Sequence, residues 1–125
     1  MKNEGFSLQK RIQSFRYAFK GLKLMISREH NAWIHCGVAV CVLIAGFLLK
    51  LNRFEWIIIV FAICGVLVTE AINSAIERLA DVVSPHYNKK IKQVKDISAG
   101  AVLLMSIGAA IVGLIIFVPK IYHLC

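Results

Sequence analysis

Two stretches of the chain carry no Asp, Glu, Lys or Arg: residues 31–49, nineteen positions, and residues 97–119, twenty-three positions. A helix needs roughly 20 apolar residues to cross the hydrocarbon core of a bilayer, so both read as spans. Between them residues 56–69 are also uncharged, and the helical pattern continues through Glu70 to about Ala80. That reads as one long helix whose second half emerges from the bilayer. The segment before the first span follows a different rule. Leu8, Ile12, Phe15, Phe19, Leu22 and Ile26 recur at steps of four and three, with Lys10, Arg11, Arg16, Lys20 and Lys23 away from that stripe. Such a helix lies in the membrane interface rather than across it. Ser84-Pro85 marks a turn, and helical periodicity restarts at Ile91. The pattern predicts an all-α membrane protein forming a single domain over residues 1–125. Its elements are an N-terminal amphipathic interfacial helix over about 7–27 and three transmembrane helices over about 31–50, 55–80 and 91–119. No internal repeat or low-complexity segment interrupts it. The first long apolar run begins too late and runs too long for a cleavable signal peptide.

Composition sharpens this picture. The 125-residue chain is 58% hydrophobic, too apolar for an ordinary soluble domain, and its net charge is +8. Beside long apolar runs, that charge points to an anionic membrane surface. Base-stacking aromatics do not interleave with the basic residues, so nucleic acid is not an expected partner. Lys2, Lys10, Arg11, Arg16, Lys20, Lys23 and Arg28 precede the first span, and Arg78, Lys89, Lys90, Lys92 and Lys95 lie near the second connection. Only Lys50, Arg53 and Lys120 fall on the other side. Twelve against three predicts a cytoplasmic N-terminus and second connection, and an outward C-terminus. Cys36, Cys41, Cys64 and Cys125 show no metal-ligand or CxxC spacing, and three of them behave as small hydrophobes within apolar runs.

Seven acidic residues occur in the chain, and four polar positions form a line. Glu70, Asn73, Glu77 and Asp81 stand at i, i+3, i+7 and i+11, within an arc of about 80° on one helix face. An ionisable group at bilayer depth costs at least a few kcal/mol and is functional by default. Carboxylates at the end of a membrane helix suit a divalent cation, which prefers oxygen ligands. Asp81 reads equally well as a solvated helix end. Across the connection, Lys92, Lys95 and Asp96 precede the third span. Lys95 reads first as a positive-inside anchor, and second as a point charge for phosphate oxygens, held by an aspartate such as Asp96. Arg28-Glu29 reads as an interfacial ion pair, and Arg78 points away from the carboxylate stripe. His30 and His35 fit the interface and have no visible metal-ligand partner.

Glu70-Ala-Ile-Asn-Ser-Ala-Ile-Glu77-Arg-Leu-Ala-Asp81 resembles the signature of the prokaryotic diacylglycerol kinase family, which includes the undecaprenol kinases. Lys95-Asp96 with Ser98, Ala99, Gly100 and Ala101 resembles its second motif, and Phe19-Lys20-Gly21-Leu22 with Glu29 its N-terminal pattern. The resemblance covers nearly the whole chain. It implies an ATP- and Mg²⁺-dependent lipid kinase of the inner membrane, working as a homotrimer with active sites shared between subunits. By family position, Glu70 would be the general base on the lipid hydroxyl, and Glu29 and Glu77 would hold the metal on the ATP phosphates. Lys95, Asp96 and the turn His86, Tyr87 and Asn88 would contact the nucleotide, with Lys10 and Tyr17 contributing from the surface helix. Asn73 and Ala99 would join Glu70 on the lipid side. Glu29-His30-Asn31-Ala32-Trp33-Ile34-His35 is more similar to the undecaprenol kinase branch, which leaves the acceptor open between diacylglycerol and undecaprenol. Two other classes compete. A small proton-coupled transporter needs a fourth span and a glutamate near the middle of the first, and both are missing here. An accessory subunit without catalysis does not need polar clusters on facing helix ends.

Overall fold

The computed structural model describes Gly5 and residues 7–125; Lys2, counted above among the basic residues, lies outside the described residues. Four helices follow in order: α1 Leu8–Arg28, α2 His30–Leu48, α3 Arg53–Val83 and α4 Lys89–Leu124. No strand occurs among the described residues. The last three helices are long and apolar enough to cross a membrane. Large apolar side chains cover their outer faces, as lipid contact demands; Phe47, Phe61 and Leu104 are examples.

Local chemistry sets the helix ends. Ser7 Oγ accepts the Lys10 N–H at 3.4 Å and starts α1. Glu29 closes α1 and opens α2 in one residue; its extended backbone (φ −112°, ψ 116°) makes the elbow between surface helix and span. The Trp33 indole N–H reaches back to the Ile26 carbonyl and braces that elbow. At the opposite membrane face the α2–α3 hairpin is tight. Lys50 takes a left-handed conformation (φ 55°), and the Leu51 N–H returns to the Gly46 carbonyl at 3.1 Å. Trp56 lies against Gly46 so closely that an added Cβ would stand 2.7 Å from its ring. Asn52 and Glu55 exchange side-chain-to-backbone bonds of 2.9 and 3.0 Å, a reciprocal cap that begins α3 two residues before the expected position 55.

Leu51, Ile59 and Ile116 form the buried core at this end, with Trp56 and Val112 against it. Lys120 Nζ meets Glu55 Oε1 at 3.0 Å and ties the far end of α4 to the start of α3. The chain continues as helix through Pro119 to Leu124, past the end expected at 119. Pro119 removes one backbone donor, a loss that transmembrane helices tolerate. α3 packs along α4, and α2 packs on α3 but not directly on α4. A cleft therefore opens between α2 and α4 over the face of α3. The 31 residues of α3 extend about 46 Å, against a hydrocarbon core of about 30 Å. Glu70, seventeen residues after Arg53, stands about 26 Å along it, near the membrane edge on the side of the α3–α4 connection.

Candidate active site

The stripe on α3 faces the rest of the molecule. Glu70 is 2% exposed, and Asn73 and Ser74 are buried beside it. Glu77 is half-buried, and Asp81 is exposed where α3 leaves the membrane. The α1–α2 elbow aims Glu29 at this face. Ser74 Oγ donates to Glu29 Oε1 at 3.0 Å, and Arg78 Nη2 lies 3.8 Å from the same oxygen. The cation that reaches Glu29 is thus Arg78, from α3, rather than the neighbouring Arg28. One turn separates Ser74 from Arg78, so both reach the elbow from one helix face.

From α2, His35 Nε2 stands 3.5 Å from Glu70 Oε2. The interfacial histidine of the sequence reading is therefore a neighbour of the buried carboxylate. On α4, Lys95 Nζ meets Asp81 Oδ1 at 2.5 Å, while Asp96 takes Lys92 at 2.8 Å. The lysine–aspartate pairing differs from the one expected. Lys92 and Asp96 are four apart on one helix, whereas Lys95 turns toward α3. Asp81, ambiguous in sequence, is the residue that holds Lys95.

A cavity of about 350 Å³ joins these elements, lined by Asn31, His35, Glu70, Asn73, Ala99 and Ser106 among others. Glu70, Asn73 and Ala99, expected together on the lipid side, do share one cavity. Two polar atoms are buried there without a partner, Asn73 Oδ1 and Ser106 Oγ. Such atoms are uncommon in folded proteins and call for a ligand or water. Glu29 and Glu77 both act electrostatically on the Glu70 carboxylate, so three acids crowd one corner. Among the described residues no group of three or more His, Cys, Asp or Glu is arranged to hold a metal ion. Mg²⁺ does not need one, since it takes one or two carboxylates and completes its shell with phosphates and water. The donor set of Glu29 and Glu77 fits it.

The remaining expected nucleotide contacts lie on the α3–α4 turn and on α1, where Lys10 and Tyr17 stand about 28 Å and 18 Å by helix rise before the elbow and are not brought to this corner. His86, Tyr87 and Asn88 form the α3–α4 turn; Ser84 Oγ donates to the His86 carbonyl at 2.7 Å, and Asn88 Oδ1 caps α4 by accepting from Lys90 and Ile91 at 3.0 and 3.2 Å. Lys10 and Tyr17 are exposed on α1, where the Tyr17 hydroxyl accepts from Gln13 at 2.9 Å. Sequence reasoning overlooked Ser74 and Ser106, set Arg78 aside as pointing away from the stripe, and undervalued His35. His35 carried a signal in the Glu29–His35 pattern, and Ser74 and Arg78 in the Glu70–Asp81 signature; Ser106 carried none.

The model of the prokaryotic diacylglycerol kinase family matches residues 16–117, which include the elbow, the α3 stripe, the turn and the start of α4. The chain belongs to the prokaryotic diacylglycerol kinase family. It is a lipid kinase, and neither the transporter nor the accessory subunit is favoured. An undecaprenol kinase of Bacillus subtilis is 36% identical over 120 residues, 96% of this chain and 98% of that one. A diacylglycerol kinase of Synechocystis is 36% identical over 114 residues, 90% of this chain and 65% of the relative. A diacylglycerol kinase of Escherichia coli is 30% identical over 113 residues, 89% and 91% of the two chains. The matched residues include the buried carboxylate Glu70, its histidine neighbour His35 and the two unpartnered polar atoms of Asn73 and Ser106.

Proposed function

We propose that this kinase transfers the γ-phosphoryl group of MgATP to the hydroxyl of a membrane lipid, diacylglycerol or undecaprenol, at the cytoplasmic face of the bacterial inner membrane. The whole chain acts as one catalytic domain, and its product, phosphatidic acid or undecaprenyl phosphate, belongs to phospholipid or lipid-carrier metabolism. The observation that carries this reading is Glu70: a carboxylate 2% exposed, at the membrane edge, lining a cavity beside an unpartnered Asn73 oxygen. The distribution of basic residues supports the orientation.

Phosphoryl transfer asks for positioning, charge neutralisation and an oriented nucleophile. Glu70 takes the proton of the lipid hydroxyl as that oxygen bonds to the γ-phosphorus and ADP leaves. Asn73 holds the hydroxyl, and Ala99 leaves room for the carbon that bears it. Lys95, steadied by Asp81, offsets charge on the phosphates. Lys10, Tyr17, Asp96, His86, Tyr87 and Asn88 complete the nucleotide site. Glu29 and Glu77 hold Mg²⁺, which neutralises phosphate charge when bound. A homotrimer, with sites between neighbouring subunits, is the assembly we assign to it.

The test is an assay on the purified, detergent-solubilised protein with radiolabelled ATP, offering diacylglycerol and undecaprenol side by side. Label should pass to at least one of the two and require Mg²⁺. Absence of label in both lipids would overturn the reading.

A further inference from the structure

Glu29 stands at the N-cap of α2, yet its side chain makes no capping bond there. It is drawn instead to α3, where two different groups approach the same oxygen. Ser74 Oγ, a buried hydroxyl, donates to Oε1 at 3.0 Å, a normal hydrogen bond. Arg78 Nη2 stands 3.8 Å from Oε1, within ion-pair range and beyond a hydrogen bond. Neither contact falls on Oε2. The serine orients the carboxylate, and the arginine sets the charge beside it. These two effects are separable.

The Arg78 side chain is 43% exposed, and a part-exposed pair at this distance contributes little to stability. What it brings is charge. Arg78 also lines a cavity of about 340 Å³ between α1 and α3, which Ala18, Gly21, Ala71 and Ala75 leave open beside it. A guanidinium has five N–H donors in a planar fork, so donors remain for an anion that enters there. Its charge acts in opposite senses on the two forms in which a divalent cation can arrive. A bare cation approaching Glu29 is repelled by the guanidinium. A cation carried on a nucleoside triphosphate belongs to a complex of net negative charge, and its phosphate oxygens suit the arginine fork.

We propose that Arg78 makes occupancy of the metal site conditional on phosphate: it repels the bare cation and binds the phosphates that carry one, while Ser74 aims the Glu29 carboxylate. This rests on the lipid-kinase reading and on Glu29 as a metal ligand. Ser74 is a positioning residue, acting through Glu29. Glu29, Glu70 and Glu77 crowd one corner, and without a cation among them they would collect a divalent ion before any substrate had bound. An ion resting there would oppose protonation of Glu70 and weaken it as a base. Arg78 keeps the corner clear until the nucleotide arrives.

Binding of Mn²⁺, followed by the paramagnetic resonance signal of the free ion, tests this on the purified full-length protein in detergent. Titrations without nucleotide, and then with a non-hydrolysable ATP analogue, compare wild type with Arg78→Gln, Arg78→Lys and Ser74→Ala. Without nucleotide, Arg78→Gln should bind Mn²⁺ about tenfold more tightly than wild type, the part of a Coulomb effect at about 4 Å that survives solvent screening. Arg78→Lys keeps the charge and should stay within about twofold of wild type. Ser74→Ala should bind the ion more weakly, because its carboxylate is no longer aimed. With the analogue present, Arg78→Gln should bind the metal–nucleotide complex about tenfold more weakly. Combining Arg78→Gln with Glu29→Gln should erase the gain for the bare ion, which assigns that gain to Glu29. A plain clamp between the elbow and α3 predicts instead that Arg78→Gln and Ser74→Ala both weaken the bare ion. That result overturns the proposal, as does a gain that survives in the double variant or an unchanged affinity for the nucleotide complex. Should Arg78→Gln aggregate, Arg78→Met removes the same charge and carries the same expectations. No turnover is needed for these titrations, so a wild type that labels no lipid would sink the kinase reading separately.

Discussion

At the scale of single residues, the site is a set of charges whose partners differ in kind. Glu70 is enclosed, with one histidine near it, while Glu29 is already contacted by Ser74 and Arg78. A base must be free to take a proton, whereas a metal ligand can share its oxygens with neighbours. Glu70→Gln should therefore abolish turnover, with a loss of about 10²–10⁴ in rate, and leave nucleotide binding largely intact. Full activity in a well-folded Glu70→Gln protein would remove it as the base. Glu29→Gln and Glu77→Gln should instead weaken MgATP binding, with partial rescue at raised Mg²⁺. If a Mg²⁺ titration shows neither variant displaced from wild type, these two are not ligands, and Asp81 becomes the better candidate despite its bond to Lys95.

At the scale of elements, the helix periodicity made much of this protein legible. The stripe from Glu70 to Asp81 lies on one face because four residues on one helix keep their angular relation whatever packs against them. The surface helix and the three spans follow for the same reason. Contacts between helices were not legible. His35 beside Glu70, Asp81 beside Lys95 and Ser106 in the cavity at Glu70 depend on the relative rotation and height of two helices, which sequence spacing on one helix does not determine. The elbow at Glu29 joins α1 to α2 and brings the Glu29 carboxylate to Ser74 and Arg78 on α3. The α1 stripe bears on function here. Phe15 and Phe19 are exposed, facing outward as an interfacial helix requires, while Met25 is buried near the elbow. Burying one large apolar side chain in the bilayer contributes about 1.5–3 kcal/mol. Replacing Phe15 and Phe19 by Ser should loosen α1 by several kcal/mol while the spans still insert. Lys10 and Tyr17 ride on α1, so KM should rise for ATP and lipid alike. Unchanged values for both would make α1 a plain anchor and take Lys10 and Tyr17 off the site.

At the scale of the molecule, the single chain exposes more surface than a compact monomer of its size. Its accessible surface is 9993 Å², whereas a compact monomer of 14.0 kDa exposes about 6,700 Å². The excess of about 3,300 Å² falls in the range that obligate interfaces cover, about 2,000–5,000 Å². Lipid alone can coat apolar helices, so surface area does not by itself require an oligomer. The chemistry adds a second reason. Lys10 and Tyr17 stand about 28 Å and 18 Å by helix rise before the elbow at Glu29, so contact of these residues and Glu29 with one nucleotide would take a neighbouring chain. Three copies amount to about 42 kDa of protein, three times 14.0 kDa. Light scattering with the detergent contribution subtracted should return that mass in a mild detergent. Titrating a harsher detergent should lower the mass and the specific activity together, at the same concentration. A species of single-chain mass that keeps full specific activity would show that one subunit carries a complete site, and the trimer would then have no part in the chemistry.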